Sequence, residues 1–237
     1  MSEGPVIPDF GQATACVREN RLFCPGWVRD NWDPVLQPAL AQHVKLTAIA
    51  VVAGFAIAFV AALVAHRYGV LERPFAIFSA VVYTIPAIAL FQLLVPFTGL
   101  SVLTVEVALV SYTLLILFRN VLEGLRAAPP EVLEAARGMG LTRRQTLLRI
   151  ELPLALPAVV AGLRVATVST IALATIAAFV IPEGLGRPIF SALRVNFKTE
   201  IIAAGVLAIL LAVTVDLLLV LLQRRITPWV SARRVAA

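Results

Sequence analysis

Charged residues are scarce in this sequence. Asp, Glu, Lys and Arg make up 14% of the 237 residues, whereas 60% of them are hydrophobic. Soluble domains carry roughly a quarter charged residues, and a soluble protein this apolar would aggregate through its exposed patches. The formal net charge of +6 comes from basic residues scattered between apolar runs. We therefore expect membrane lipid to surround this chain, and we expect no nucleic-acid partner.

Metal ligands and nucleotide-binding sequences are also lacking. Two Cys and two His are too few for a metal cluster, and we expect no cofactor. No G-x-x-x-x-G-K-[ST] sequence occurs, so the chain is not expected to hold a nucleotide in a P-loop. The first ten residues, MSEGPVIPDF, lack a basic stretch followed by an apolar core, which argues against a cleavable signal peptide.

Long hydrophobic runs are what the sequence does have. A bilayer core of about 30 Å needs about 20 apolar helical residues, and backbone groups in lipid must be satisfied within the segment. We predict an all-α polytopic membrane protein with five transmembrane helices, since the runs lack the alternation of membrane strands. The five segments are residues 46–65, 74–97, 100–118, 157–181 and 201–222. We expect Pro74 and Pro157 to begin helices and Pro86 to kink one.

The basic residues predict how the chain lies across the membrane. With the N-terminus outside, twelve Lys and Arg fall in inner segments and seven in outer ones, which agrees with the positive-inside rule. The predicted organisation is an extracytoplasmic tail at 1–42, a transmembrane domain at 43–225 and a cytoplasmic tail at 226–237. This is the layout of a multi-pass protein of a plasma (inner) membrane.

The polar stretch 119–156 between the third and fourth spans is built like two short helices. Pro129 and Pro130 pre-set the first turn of one helix, which should stop near Gly138 and Gly140. Thr142 and Gln145 predict a capping box that opens the second helix, and we expect Pro153 to end it. With the N-terminus outside, this pair of helices is predicted to lie on the cytoplasmic side.

Apolar residues of this stretch need a surface to bury them. One interpretation is a groove on a protein partner. The other is an amphipathic loop that lies on lipid headgroups, to which its six Arg would draw it. The residue pattern alone leaves both open. The apolar residues concerned are Val132, Leu133, Ala136, Leu141, Leu147 and Leu148.

The spacing of the stretch resembles the EAA loop of ABC importer permeases. That signature is EAA-x3-G-x9-I-x-LP, and every defined position matches. The matching residues are Glu134, Ala135, Ala136, Gly140, Ile150, Leu152 and Pro153. The resemblance implies that the loop docks into a cleft of an ATP-hydrolysing subunit. It further implies that Glu134 meets basic or polar groups there, that the two alanines allow close approach and that Gly140 supplies the bend.

Less specific sequence resemblances indicate a subfamily of these permeases. Residues 81–100 (VVYTIPAIALFQLLVPFTGL), 162–180 and 184–189 look closest to permeases for glycine betaine, carnitine or choline. Gly138 departs from many relatives, which carry a larger residue. A permease for methionine or another amino acid is the alternative. An integral-membrane enzyme or an ion-driven secondary transporter is disfavoured, because neither a cluster of catalytic groups nor an inverted repeat is found.

The resemblance also implies partners. ATP hydrolysis by two copies of a separate ATP-binding subunit would drive alternating access, and a second permease chain, a copy or a paralogue, would complete the path. An extracytoplasmic solute-binding protein would dock on the loop at 182–200 and near Thr98. The chain itself would be a transport subunit without its own ATPase site.

A few polar residues inside or near the spans remain to be assigned. Glu106 and Asp216 are intramembrane carboxylates and candidates to line the pathway. Thr167 and Thr170 belong to a stripe of small residues that either lines a path or packs closely against a neighbour. Arg164 is expected to anchor one end of the fourth span.

Cysteine and histidine complete the candidates. Cys16 and Cys24 lie in the outer tail with seven residues between them, where an oxidising compartment favours a disulfide over two free thiols. His43 and His66 flank the first span and are expected to lie at the interfaces without a catalytic partner.

Overall fold

The computed structural model describes residues 14–228, and this range contains helices and turns but no strand. The all-α prediction is confirmed. Residues 1–13 and most of the expected tail at 226–237 lie outside the described range. The α-helices are α1 (Ala15–Arg18), α2 (Pro25–Asp30), α3 (Gln37–Tyr68), α4 (Glu72–Thr84), α5 (Ala87–Thr98), α6 (Val102–Arg126), α7 (Pro130–Gly138), α8 (Arg143–Thr146), α9 (Leu152–Ala177), α10 (Gly186–Arg194) and α11 (Lys198–Ile226).

Contacts divide the described chain into two compact units. Unit 1 comprises residues 14–49, 86–108 and 171–213, and unit 2 comprises 50–85, 109–170 and 214–228. Unit 2 contains a core in which α3, α6 and α9 pack through small and aliphatic side chains, among them Ala58, Ala62, Leu117, Val121 and Ala155. In unit 1, Leu36 packs with Ala203 and Ala204 of α11.

Four stretches are long and apolar enough to cross a membrane, and a bent pair, α4 with α5, supplies a fifth. Counted as one span, this pair brings the number of candidate spans among the described residues to five. Glu72, four residues after α3 ends, forms two hydrogen bonds of 2.9 and 2.6 Å with Arg126 at the end of α6. The start of α4 and the end of α6 therefore lie side by side in unit 2.

The second span is broken rather than merely kinked. Helices α4 and α5 meet at 104°, at the position where Pro86 was expected to bend a single helix. Ile85 is extended, with φ −69° and ψ 129°, because the residue before a proline avoids helical geometry. Tyr112 donates its hydroxyl hydrogen to the Ile85 carbonyl. The polar backbone exposed by the break is thereby satisfied from the middle of α6.

The first span begins earlier than the sequence indicated. Helix α3 covers 32 residues, and a π-helical turn at Trp32–Leu36 leads into it. The predicted domain boundary at residue 42 thus falls inside a helix. Gln42 and His43 read as the polar end of a span, yet both side chains accept hydrogen bonds from backbone N–H groups of 184–185.

The prediction that Pro153 ends the second loop helix, and that Pro157 begins the fourth span, was wrong. Helix α8, a π-helical segment at Leu147–Glu151 and α9 follow one another without a break, and 143–177 forms one 35-residue stretch. Both prolines lie within it. The wider π-turn comes just before Pro153, where the ring would otherwise clash with the preceding turn. Gln223 donates to the Pro157 carbonyl at 3.3 Å.

The contact of α10 with α9 in unit 1 leaves no room for a side chain at Gly186. A Cβ there would lie 2.1 Å from the carbonyl oxygen of Thr175, whereas a Cβ on Gly205 would meet nothing within 4 Å. We predict that Gly186→Ala lowers the unfolding free energy by about 1–3 kcal/mol through overpacking.

The matched control is Gly205→Ala, which should leave stability unchanged or raise it by up to about 1 kcal/mol through helix propensity. Thermal unfolding of the purified subunit in detergent measures both variants. Equal melting temperatures for the two variants would contradict the close α9–α10 contact.

Candidate functional site: the polar loop and the broken span

Helix α7 ends in a tight C-terminal turn. Gly140 has φ +75°, its N–H donates to the Arg137 carbonyl at 2.9 Å, and the Leu141 N–H donates to the Ala136 carbonyl at 3.0 Å. These two bonds define a Schellman motif, which favours glycine because other residues are strained at positive φ. The sequence predicted this stop correctly.

The second loop helix opens with the predicted capping box. The Gln145 N–H donates to Thr142 Oγ1 at 3.3 Å, and the Thr142 N–H donates to Gln145 Oε1 at 2.8 Å. Residues 139–142 therefore form a short elbow with a defined backbone at each end. Beyond the elbow, the 35-residue stretch 143–177 continues as a rod of roughly 50 Å at helical rise.

The signature residues divide between two environments. Glu134 and Ala135 are exposed on α7, whereas Ala136 is fully buried against its own chain. Ile150 and Leu152 are half-buried in the rod. The structure thus presents the first two as a free surface and uses the others internally.

Two polar side-chain contacts, which the sequence did not predict, tie the loop to the spans. His66 Nε2 lies 3.0 Å from Glu151 Oε2, which links the end of α3 to the start of the rod. The Glu72–Arg126 pair lies where α6 leads into α7. Their partners are 85 and 54 residues apart in the chain, so no local signal could have revealed them. His66 therefore has a carboxylate partner, which the sequence did not indicate.

Arg164 and Asp216 form a bidentate salt bridge between α9 and α11. Arg164 Nε and Nη2 lie 2.8 and 3.0 Å from the two Asp216 oxygens, and each side chain is 33% exposed. Pairing is how ionisable residues are tolerated inside a membrane. The sequence alone gave no indication that these two residues form a salt bridge with each other.

The other candidates for the pathway differ in their surroundings. Thr167 and Thr170 are buried, and their hydroxyls donate to carbonyls of their own helix at 2.7 Å, which is how close helix packing uses such residues. Both carboxylate oxygens of Glu106 are buried without a hydrogen-bond partner among residues 14–228. Glu106 is therefore a group that still needs a partner or a proton.

Two tyrosines flank the broken span. The rings of Tyr83 and Tyr112 meet edge to face with centroids 5.9 Å apart. Tyr112 is buried, whereas Tyr83 is 43% exposed just before the break. Discontinuous helices near the middle of a membrane are typical of substrate sites in transporters. The sequence had flagged Pro86 only as a kink.

The N-terminal segment packs on the start of α11 in unit 1. Cys16 and Cys24 form a disulfide with Cα atoms 5.9 Å apart. Asn20 donates to the Asn196 carbonyl at 2.7 Å and accepts from the Lys198 N–H at 3.1 Å. The Cys24 N–H donates to Thr199 Oγ1 at 3.1 Å. The loop at 182–200, predicted as a docking surface for a solute-binding protein, contains α10 and carries this segment.

His43 is buried within unit 1, and its position at the membrane interface stays a prediction. Its Nε2 lies 3.1 Å from the Ile171 carbonyl, and its Nδ1 accepts from the Leu185 N–H at 3.2 Å. These partners match one neutral tautomer. His43 thus holds α3, α9 and the turn before α10 together in unit 1.

The fold is that of a multi-pass membrane subunit, and a helical polar loop lies between α6 and α9. The family model described as "Binding-protein-dependent transport system inner membrane component" matches residues 44–232. The chain belongs to this family. It is a permease subunit of an ABC importer and a component of the inner membrane, and the family implies ATP-binding, solute-binding and permease partners.

Several curated proteins are similar over most of the chain. The choline transport system permease protein OpuBB of Bacillus subtilis (strain 168) is 31% identical over 187 residues, 79% of this chain and 86% of that protein. The osmoprotectant import permease protein OsmW of Salmonella typhimurium is 35% identical over 192 residues, 79% and 89% of the two chains. The carnitine transport permease protein OpuCB of Listeria monocytogenes is 31% identical over 188 residues, which cover 79% of this chain and 86% of that protein.

Solved structures confirm the fold. An inward-facing conformation of the MetNI methionine ABC transporter aligns with a TM-score of 0.74 at 21% identity, covering 81% of this chain and 96% of that one. A second crystal form aligns with a TM-score of 0.68 at 20% identity, covering 78% and 93%. The arrangement of helices is therefore that of an ABC importer permease.

The Arg164–Asp216 bridge yields a test by charge exchange. We predict that Arg164→Asp or Asp216→Arg alone lowers the amount of folded subunit in the membrane, since each leaves two like charges facing each other. The double exchange should restore most of it. Membrane yield and thermal unfolding in detergent measure the effect.

Arg225→Asp, at the exposed end of the same helix, is the control and should behave as wild type. If the double exchange were as poor as the worse single variant, α9 and α11 would not be joined through this pair.

Proposed function

We propose that this permease imports quaternary-ammonium or zwitterionic osmoprotectants such as glycine betaine, carnitine or choline. The observation that carries the proposal is the likeness, at 31–35% identity over about four fifths of the chain, to permeases named for these solutes. A methionine or other amino-acid permease is the second candidate. It rests on the shared fold with the methionine transporter at 21% identity.

Helix α7 is the coupling helix in this proposal. Its exposed Glu134 and Ala135 form the face that an ATP-binding subunit contacts, and Ala136 and Gly140 fix the angle of that face relative to the rod. Ile150, Leu152 and Pro153 lie in the rod that receives the motion. Because the elbow spans only residues 139–142, displacement of α7 passes to α9 with little slack.

The assembly contains two ATP-binding subunits, since this chain supplies one coupling loop and carries no ATPase site of its own. A second permease chain, a copy or a paralogue, completes the path. The N-terminus lies outside, so the loop at 182–200 and the disulfide-linked N-terminal segment face the solute-binding protein. Alternating access follows when ATP draws the two coupling helices together.

The break between α4 and α5 is the part of the path proposed to meet the solute. The exposed face of Tyr83 can attract a quaternary ammonium through its ring quadrupole, and Tyr112 holds the break open by satisfying Ile85. Glu106 and Asp216 remain further candidates to line the path. Asp216 would do so only while still paired with Arg164.

The coupling role predicts different outcomes for two neighbouring glycines. Gly140→Ala is strained because φ is +75°, at a cost of about 1–2 kcal/mol, and should reduce uptake per ATP hydrolysed. Gly138→Ala meets no atom within 4 Å and should improve the helix. The measurement is solute uptake and ATP hydrolysis by the reconstituted complex. Wild-type coupling in Gly140→Ala would contradict the role of the elbow.

The solute proposal predicts which compounds compete and which ring matters. Unlabelled choline and glycine betaine should inhibit uptake of a labelled quaternary ammonium by the complex in proteoliposomes, and methionine should not. Tyr83→Ala should lower uptake roughly two- to thirtyfold through loss of the cation–π contact, whereas Tyr83→Phe should retain most of it.

Phe97→Ala, at another exposed ring outside the break, serves as the control. Inhibition by methionine alone would favour the amino-acid alternative. If Tyr83→Phe and Tyr83→Ala lowered uptake equally, the aromatic ring of Tyr83 would not contact the solute.

A further inference from the structure

A basic cavity of about 750 Å³ lies in unit 2 between the end of α3 and the α7–α8 elbow. Four guanidinium groups line it. They belong to Arg67, Arg137, Arg143 and Arg144. Glu151 is the single carboxylate in the lining among the described residues, and it already bonds His66 at 3.0 Å. The cavity therefore carries an excess of positive charge that the protein does not neutralise.

An apolar groove of about 810 Å³ runs along α3 and α4 in the same unit. Its walls are aliphatic and aromatic, including Ile57, Val60, Phe75 and Phe78. Val60 and Phe78 are 60% and 59% exposed. Val64 lines both the groove and the basic cavity, so the two spaces adjoin each other at this residue of α3.

The two spaces together have the chemistry of a single amphiphile. Guanidinium forks bind phosphate oxygens through paired, charge-assisted hydrogen bonds, and the groove offers only dispersion and hydrophobic contact. From Ala56 to Val64 the groove follows α3 for roughly 12 Å, and Arg67 lies about 4.5 Å further at helical rise. A soluble anion would leave the groove empty, and a neutral lipid would leave the arginines unpaired.

We propose that an anionic phospholipid binds here, with its phosphate among Arg67, Arg137, Arg143 and Arg144 and an acyl chain in the groove that begins at Val64. The position fits, because α3 ends at Tyr68, where the span leaves the hydrocarbon. Basic pockets at the cytoplasmic ends of spans are suited to anionic headgroups. The cytoplasmic location rests on the proposed orientation, but the binding chemistry does not depend on the solute transported.

The lipid would join parts of unit 2 that move in coupling. Arg67 belongs to α3, Arg137 to α7, and Arg143 and Arg144 to α8. A phosphate shared by these groups would hold the coupling helix and the start of the rod to the end of the first span. The fraction of anionic lipid in the membrane would then determine how strongly the elbow at residues 139–142 is held to α3.

The test measures retained lipid on the purified full-length subunit by native mass spectrometry, after incubation with phosphatidylglycerol or phosphatidylcholine of identical acyl chains. We expect preferential retention of phosphatidylglycerol. Arg137→Gln with Arg144→Gln should weaken it by roughly fivefold for each arginine removed. Arg67→Gln, on a different element, is an independent variant and should weaken it similarly.

The control combines Arg149→Gln with Arg225→Gln, two exposed arginines that do not line the cavity, and should retain lipid as wild type does. Val60→Trp, which fills the groove, should release phosphatidylglycerol without changing any charge. Each variant's melting temperature is compared with wild type, so that unfolding is recognised and Arg67→Gln can replace a variant that fails to fold.

Several results would overturn the proposal. One is equal retention by the arginine variants and the control. Another is equal retention of phosphatidylcholine. Displacement of the lipid by glycerol phosphate at matching concentration would assign the cavity to a free anion. Loss of the lipid on assembly with the ATP-binding subunit or a second permease would assign it to a protein interface. None of these measurements depends on uptake, so they stand apart from the solute proposal.

Discussion

Inside a bilayer no water can satisfy a backbone N–H or C=O group, and this constraint shapes each irregular feature of the chain. The break at Pro86 exposes the Ile85 carbonyl, and Tyr112 donates to it. The carbonyl of Pro157 receives the Gln223 amide. Charged groups follow the same rule, since Arg164 and Asp216 bind each other. At the break before Pro86, a side chain on a neighbouring helix therefore satisfies a carbonyl that the helix geometry leaves free.

The proposed coupling by the polar loop depends on the continuity of the helix that follows it. The rod that begins at Arg143 runs unbroken to Ala177, because a π-helical segment accommodates Pro153 where a helix end was expected. A loop that ended at Pro153 would have had a flexible joint there. Instead the connection between α7 and the rod is the elbow at residues 139–142, with a Schellman turn on one side and a capping box on the other. The His66–Glu151 pair holds the base of the rod to α3.

Much of this architecture could be predicted from sequence because the signals are local. Apolar runs predicted the spans, Gly140 predicted the end of α7, and Thr142 with Gln145 predicted the start of α8. What failed depended on distant partners. His43 looked like the polar end of a span until 184–185 was seen to bond it, and Arg164 and Asp216 lie 52 residues apart. The hydrogen bond from Tyr112 could not be predicted, because the Ile85 carbonyl becomes available as an acceptor only where the helix breaks at Pro86.

The central claim is that α7 contacts an ATP-binding subunit and transmits its movement through the elbow. Photo-crosslinking from Ala135 of the assembled importer tests this claim most directly, with and without ATP, beside the same label at the exposed Leu210 of α11. The account predicts an adduct with the ATP-binding subunit from Ala135, changed in yield by ATP, and none from Leu210. Adducts from Leu210 but not from Ala135, or none from α7 in an active importer, would contradict it.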